Sequence, residues 1–471
     1  MTARAGLVTL CNSLTALTIG AFHKRRAADD LLAANLLWRF RSMQRWATTA
    51  AVLVLAAILL SGDTPWRYTL FGVFSPPDLA QDLAAARVFA SNQNPYEVGI
   101  ARAHAELMKV PEDEGYRHFP HPPLLFLLFL PIAELTLRQA AAVWFGLSLG
   151  LLFLLATLLA ELYSGPAQGQ RRTTSATVLI VFVALLVWPP VLYNLAKGQW
   201  SILVALLVAM FWHFYTRGQH RSAGATIGLA AAVKLFPALL GFYVLVRAPR
   251  AIVWMVVVAV GALGLPLLWM GPDTIRAFVQ QAQANVTYWE TFPAVTYSIH
   301  GLLARLMVGG EWARPLFHAP LLARVLGVLS AVALIVVATT ALRRRSGTAK
   351  GEGARFAAWV ALLVVLNPLA MAHTGVILAL PIILIARELS ADHRLWPKLA
   401  WVAGVVLVSI PGHTLIFLAS QPIEPWQGVL VIALPLWGTL ALFSAAIAAS
   451  SPSYAVSVPS PQYPAHLLSQ T

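Results

Sequence analysis

Several segments of this chain are apolar on every side of a helix. Val178–Val187, Ile252–Val260 and Ala331–Val337 contain no charged residue, and a helix that is hydrophobic all round has no face to offer water. Lipid then dictates the rest. In hydrocarbon every backbone N–H and C=O must be paired, which helices achieve within a single segment and open sheets do not. Composition agrees, with 59% hydrophobic and only 11% charged residues, where soluble domains carry about 25% charged residues. The mean hydropathy is +0.71. The expected fold class is all-α, a polytopic transmembrane helical bundle of roughly 10–12 spans.

The 33 Lys and Arg residues against 19 Asp and Glu leave a net charge of +14. The basic residues fall mostly between apolar runs, so they act as topology signals for a chain whose partners are membrane lipids, not nucleic acid. Cys11 is the only cysteine, which excludes a disulfide framework and a thiolate metal cage.

Residues 1–45 hold a weak apolar stretch, Leu7–Phe22, followed by Lys24, Arg25, Arg26, Arg39, Arg41 and Arg45. They read as a cytoplasmic segment, and the stretch lacks the charge order of a cleavable signal. A first span near Trp46–Leu60 leads out of the cytoplasm. An outer loop at 61–119 carries Asp63, Asp78, Asp82, Glu97, Glu106, Glu112, Asp113 and Glu114. A second outer segment, 271–320, ends a module spanning 46–342. Further membrane helices fill 343–449, opening on the basic run from Arg343 to Arg355, and the Pro/Ser-rich stretch 450–471 reads as a disordered tail. Between the outer loops, Pro122–Ile132 is too short for a straight span. Two topologies follow. If Pro122–Ile132 is re-entrant and Ala223–Val246 folds back at Lys234–Pro237, the basic loops Arg171-Arg172, Arg217–Arg221 and Arg247–Arg250 share the cytoplasmic side. With two full spans instead, the first two of these loops lie outside.

Asp78 and Asp82 share one face of an expected short amphipathic surface helix, Asp78–Ala90. One of them can serve as a general base. The alternative is local: Ser75 as N-cap, Pro76 in the first turn and Asp78 in a capping box. His118 and His121 stand where the chain re-enters lipid, suited to a phosphate or sugar or simply hydrated there. Their spacing is no metal signature. Lys234 lies inside an apolar run, where a lysine costs about 2.5–3.5 kcal/mol on insertion scales. It either meets an anionic phosphate or snorkels to the interface. In Asn194–Gln199, Gly198 permits a tight bend and Gln199 can read a hydroxyl, although a plain hairpin flanked by interfacial Tyr193 and Trp200 fits equally.

The segment 271–320 adds Arg276, Gln280, Gln281, Gln283, Asn285, Tyr288, Trp289, Glu290, Tyr297, His300, Arg305 and Trp312. These groups suit carbohydrate and phosphate, with His300 and Arg305 as candidate ligands, and also suit any interfacial helix. His373, at the end of Asn367–His373, shares that ambiguity.

Taken in order, these motifs resemble glycosyltransferase family 87, membrane enzymes of the C-type glycosyltransferase superfamily. Asp78 precedes Ser91-Asn92-Gln93-Asn94-Pro95-Tyr96, like the family's aspartate ahead of an Asn-Pro-Tyr turn. His121-Pro122-Pro123-Leu124, followed by Pro131, matches an aromatic-Pro-Pro-Leu pattern with histidine in place of tyrosine. Lys197-Gly198-Gln199 matches Asn-Gly-Gln with its first residue changed. Ala223-Gly224 and Lys234-Leu235-Phe236-Pro237 match Ala-Gly and Lys-x-x-Pro. Thr296-Tyr297-Ser298 and Asn367–His373 retain altered forms of two later motifs.

The resemblance implies a C-type glycosyltransferase-like bundle whose two extracytoplasmic segments carry short amphipathic helices, in a bacterial inner membrane. It implies transfer of a sugar, a mannose-like hexose, from a polyprenyl-phosphate donor to a lipid or glycan acceptor on the outer face, with inversion. Asp78 is favoured over Asp82 as base. The leaving phosphate would be held by Lys234, Arg305 or a histidine among His118, His121 and His373. No cofactor beyond the lipid-linked donor is implied. The competing class is a multi-pass transporter or a flippase for lipid-linked sugar, with Lys234 on the substrate path.

Overall fold

Proline decides where several apolar runs break. A computed structural model of the protein describes residues 76–116, 119, 121–164, 174–290, 296–309, 315–343, 351–390, 392–419 and 425–450. The N-terminal basic segment, the span expected near 46–60, Ser75, His118, Trp312, the loops containing Arg171-Arg172 and Arg344-Arg345, and the tail after 450 lie outside the described residues. Every regular element among the described residues is helical.

The first is α1, Pro77–Ala90, with Pro76 at its cap position and no side chain capping it. Helix α2 is Ala101–Met108, and α3, Leu124–Phe129, runs into a 3-10 turn at Leu130–Ile132. Nine residues of that kind are too short to cross hydrocarbon about 30 Å thick as a straight span. Helix α4, Leu137–Ser164, is a full-length span. The next run breaks at Pro189-Pro190 into α5, Ser175–Leu186, and α6, Pro189–Lys197, bent by 67°. Trp188 is extended there, the conformation favoured for a residue before proline.

Helix α7, Ser201–Thr216, and α8, His220–Val233, form a hairpin. Lys234 is extended, with φ −142° and ψ 133°, and ends α8. A 3-10 turn, Phe236–Leu240, and α9, Gly241–Arg247, then carry the chain back. The direction follows from α10, Pro249–Gly264. Gly224 abuts Ala251 and Trp254, while Gly228 abuts Met255 and Val258, so α10 runs parallel to α8 and the segment between them has reversed. Folding back at Lys234, one of the two topologies open from sequence, is the one adopted. Arg221 accordingly lies over the Trp254 ring at 5.5 Å, placing the turns 217–221 and 247–250 at one end of the bundle.

Beyond α10 come α11, Asp273–Glu290, α12, Ile299–Met307, and the span α13, Pro320–Arg343. Helix α14, Glu352–Leu366, starts at the basic end, where Glu352 accepts hydrogen bonds from Arg247 Nε at 2.8 Å and Tyr243 at 2.9 Å and pairs with Arg355 at 3.1 Å. A 3-10 turn, Ala372–Leu378, leads into α15, Ala379–Leu389, which returns so that Glu388 accepts from the Gly351 amide at 3.2 Å. Helices α16, Leu395–Val408, and α17, Leu434–Ala449, close the bundle through the Gly404–Gly438 contact.

Among the described residues, four helices are long and apolar enough to cross a membrane, or up to six if each bent pair counts as one span. The expected count of roughly 10–12 assumed straight spans. The difference comes from short or broken helices such as α7 and the arm around α9, and the first span expected near 46–60 lies outside the described residues.

The two polar segments expected on the outer side, 61–119 and 271–320, meet through their described residues. Gln281 of α11 donates to the Tyr96 carbonyl at 2.7 Å and accepts from the Phe119 amide at 2.9 Å, while the Phe278 and Tyr96 rings lie 5.4 Å apart. Tyr96 in turn donates its hydroxyl to the His121 carbonyl at 2.6 Å.

Candidate active site

Helix α1 departs from the amphipathic surface helix expected from its leucine spacing. It is buried without interruption from Leu79 to Ala86, because α2, the short α3 and the α6–α7 turn cover it. The small residues Ala80, Ala84, Ala85 and Ala86, all at 0% exposure, let those neighbours approach. The capping role open to Asp78 is not taken up: the helix begins at Pro77, and the Asp78 carboxylate faces the α6–α7 turn.

That turn is shaped by Gly198, whose φ of +73° is left-handed, a region only glycine enters freely. A Cβ there would lie 2.5 Å from the Leu79 Cβ. The missing side chain brings the turn against α1. Asn194 braces it, donating to the Gln199 carbonyl at 3.0 Å and accepting from the Ser201 amide at 3.1 Å. Gln199 is thereby fixed with its amide nitrogen on Asp78 Oδ2 at 2.6 Å. Its amide oxygen accepts from Lys234 Nζ at 2.7 Å. The result is a relay, Lys234 to Gln199 to Asp78, joining three segments distant in sequence. The Lys234 ammonium thus has a protein partner.

The two aspartates of α1 have separated environments. Asp82 is at 0% exposure, with Oδ1 on His121 Nδ1 at 2.6 Å and Oδ2 accepting from Trp200 Nε1 at 2.7 Å. Both oxygens are committed to protein. Asp78 is half-buried, with one charge-assisted hydrogen bond recorded. Burial pushes its carboxyl above the ordinary carboxylate value, while the Gln199 hydrogen bond and the charges of Lys197, His121 and Lys234 pull it part of the way back. A carboxylate with raised proton affinity and a free edge is suited to accept a proton from a hydroxyl.

His373 completes this side. Its ring stacks on Tyr193 of α6 at 6.3 Å and 6°, within electrostatic reach of Lys234, His121 and Lys197. The structure therefore unites Asp78, Asp82, His121, Gln199, Lys234 and His373. His300 and Arg305 belong to α12. His300 lies against α13 at Gly327, and Arg305, buried, donates from Nη1 to the Gly301 carbonyl at 3.0 Å within its own helix. Sequence reasoning missed Lys197 and Tyr193 as members of the cluster and read Trp200 as interfacial, whereas it is 3% exposed and holds Asp82. The departure from Asn-Gly-Gln at Lys197 was the available signal. Among the described residues, no group of three or more His, Cys, Asp or Glu side chains is placed to hold a metal ion.

Residues 119–367 match the family model for glycosyltransferase family 87. The chain belongs to that family. The match includes the short α3, the Gln199 turn and Lys234, and the family assignment favours sugar transfer over the transporter alternative. Two relatives, both from Mycobacterium tuberculosis, carry names of the same kind. One, a polyprenol-phosphate-mannose-dependent alpha-(1-2)-phosphatidylinositol mannoside mannosyltransferase, is 27% identical over 375 residues, covering 77% of this chain and 80% of the relative. The other, a polyprenol-phosphate-mannose-dependent alpha-(1-2)-phosphatidylinositol pentamannoside mannosyltransferase, is 27% identical over 157 residues. That match covers 33% of this chain and only 35% of the relative.

Proposed function

We propose that this protein transfers a hexose, mannose in the first instance, from a polyprenyl-phosphate donor to a hydroxyl of a lipid or glycan acceptor. The reaction inverts the anomeric centre and takes place at the end of the bundle remote from the basic turns, the extracytoplasmic face. The observation that carries this reading is the relay: a half-open carboxylate of raised proton affinity, oriented by Gln199 and backed by the Lys234 ammonium. Asp78 takes the acceptor's proton as its oxygen attacks the anomeric carbon. The bond from that carbon to the phosphate oxygen breaks, with the electron pair remaining on the phosphate. Lys234 stands beside the leaving group and offsets its charge. The donor brings its own activated leaving group, so the scheme calls for no further cofactor.

Sidedness is supported by the α7–α8 hairpin. Gln199 precedes α7 and Lys234 follows α8, whereas Arg217 and Arg221 occupy the opposite turn, about 24 Å away along a helix of this length. Basic turns favour the cytoplasm. Donor and acceptor classes are supported by the names of the two relatives.

The test uses purified protein in lipid nanodiscs with a radiolabelled polyprenyl-phosphate mannose and phosphatidylinositol mannoside acceptors. Labelled glycolipid is expected from the wild type. Loss of about 10²-fold or more in kcat is expected for Asp78→Asn, given what general bases contribute. Full transfer by Asp78→Asn rejects Asp78 as base, and a wild type that transfers to no lipid or glycan acceptor rejects the function.

A further inference from the structure

Lys197 stands beside the relay without belonging to it. Among the described residues its ammonium makes no hydrogen bond or ion pair, and its recorded contact is the face of the Tyr193 ring, 5.8 Å from the centroid. The same ring stacks on His373, and Lys197 lies within electrostatic reach of Asp78 and His373. Its residue is half-buried. A C-terminal position on α6 favours a cation through the helix dipole, yet a neutral asparagine, the residue of the resembled Asn-Gly-Gln pattern, would serve the turn equally well.

The reaction's charge balance gives this second ammonium a task. In the donor the phosphate is a diester with one negative charge. When the bond to the anomeric carbon breaks, the electron pair stays on the phosphate oxygen, which becomes a monoester with up to two charges. Asp78 simultaneously gains the acceptor's proton and becomes neutral. One negative charge thus moves from Asp78 to the phosphate while both lysines remain in place. Lys234 is hydrogen-bonded to Gln199 before the reaction; Lys197 is not committed.

We propose that Lys197 is a second phosphate cation, engaged as the leaving group acquires its additional charge. It therefore acts on turnover and product binding more than on donor binding. This inference rests on the donor class proposed above.

The experiment compares wild type with Lys197→Gln, Lys197→Asn and Lys197→Arg, measuring kcat and donor KM separately, thermal stability, and direct binding of polyprenyl phosphate. Lys197→Gln and Lys197→Asn are each expected to lose about tenfold in kcat and about tenfold in polyprenyl phosphate affinity, the cost of one modest charge interaction. Donor KM and thermal stability should stay near wild type, and Lys197→Arg should restore most of both losses. Unchanged kcat and product affinity in Lys197→Gln overturn the proposal while leaving the proposed function standing. A kcat loss that follows reduced thermal stability overturns it in favour of a helix-terminal role, and a loss that arginine fails to rescue overturns it as a role carried by the charge. If the wild type transfers no hexose, the function fails. The product-binding comparison then still decides the inference, since equal affinity of wild type and Lys197→Gln refutes it.

Discussion

Replacing Gln199 by glutamate places a second carboxylate where the amide nitrogen now meets Asp78 Oδ2 at 2.6 Å. The side chain is almost the same size, and the bond from Lys234 Nζ, 2.7 Å to the present oxygen, survives as an ion pair. What changes is the partner of Asp78. A hydrogen bond to a charged acceptor contributes about 1.5–3 kcal/mol, which at 1.36 kcal/mol per unit corresponds to a change of about 1–2 in pKa. The sign is fixed by which form the bond favours. Gln199 donates to the ionised carboxylate and holds the Asp78 proton affinity down against burial. Removing that donor raises it, and a like charge at the same position raises it further, because two adjoining carboxylates share a proton. The base is then protonated at pH values where the wild type is active. The acidic limb of the kcat/KM profile should move up by at least about one pH unit, with activity recovering toward alkaline pH. The assay is mannosyl transfer from the polyprenyl-phosphate donor between about pH 5 and 9, a window that spans this limb. An acidic limb that stays in place or moves down, in a variant that remains folded, would falsify the assignment of Asp78 as the titrating base.

Three further substitutions separate support from chemistry. Trp200→Phe removes one of two donors to fully buried Asp82 and should cost about 1.5–3 kcal/mol of stability, read as a lower unfolding temperature in detergent; an unchanged melting curve contradicts the supporting role. Gly198→Ala forces a left-handed residue costing about 1–2 kcal/mol and drives a methyl into Leu79, so α1 and Gln199 must part. A kcat loss exceeding any KM change is expected, and full turnover would show that their close approach is dispensable. Glu352→Ala leaves Arg247 and nearly buried Arg355 without their shared carboxylate and should cost about 3–5 kcal/mol. Because this cluster lies at the opposite end of the bundle, donor KM of the surviving folded protein should match the wild type.

Much of this arrangement was legible from residue pattern, and the exceptions have physical causes. The long helices Leu137–Ser164 and Pro320–Arg343 follow unbroken apolar runs that hydropathy alone picks out as membrane spans. The fold-back at Lys234 was visible only as an option, since hydropathy cannot distinguish one long helix from two short arms; the parallel packing of α8 and α10 through Gly224 and Gly228 decides it. Lys234 stood out as a charge in an apolar run, and Asp78 as the aspartate ahead of the Asn-Pro-Tyr turn. Their joining by Gln199 did not, because a glutamine in a turn looks the same whether it meets water or two charged side chains. Trp200 was misjudged for a related reason. An aromatic beside an apolar run reads as an interfacial anchor, and only the position of Asp82 shows that its indole N–H has a buried acceptor.

The α7–α8 arms comprise 16 and 14 residues, about 24 Å and 21 Å of helix, against about 30 Å of hydrocarbon. With the arginine turn held at one headgroup layer, the opposite tips end several ångströms short of the other. Gln199 and Lys234 would then lie at the floor of a dent in the membrane, where the bilayer must thin or water must descend. A lipid carrier need lift its phosphate little to reach that floor, while a bulky sugar acceptor has to come down to meet it, so lipid chain length becomes a setting on catalysis.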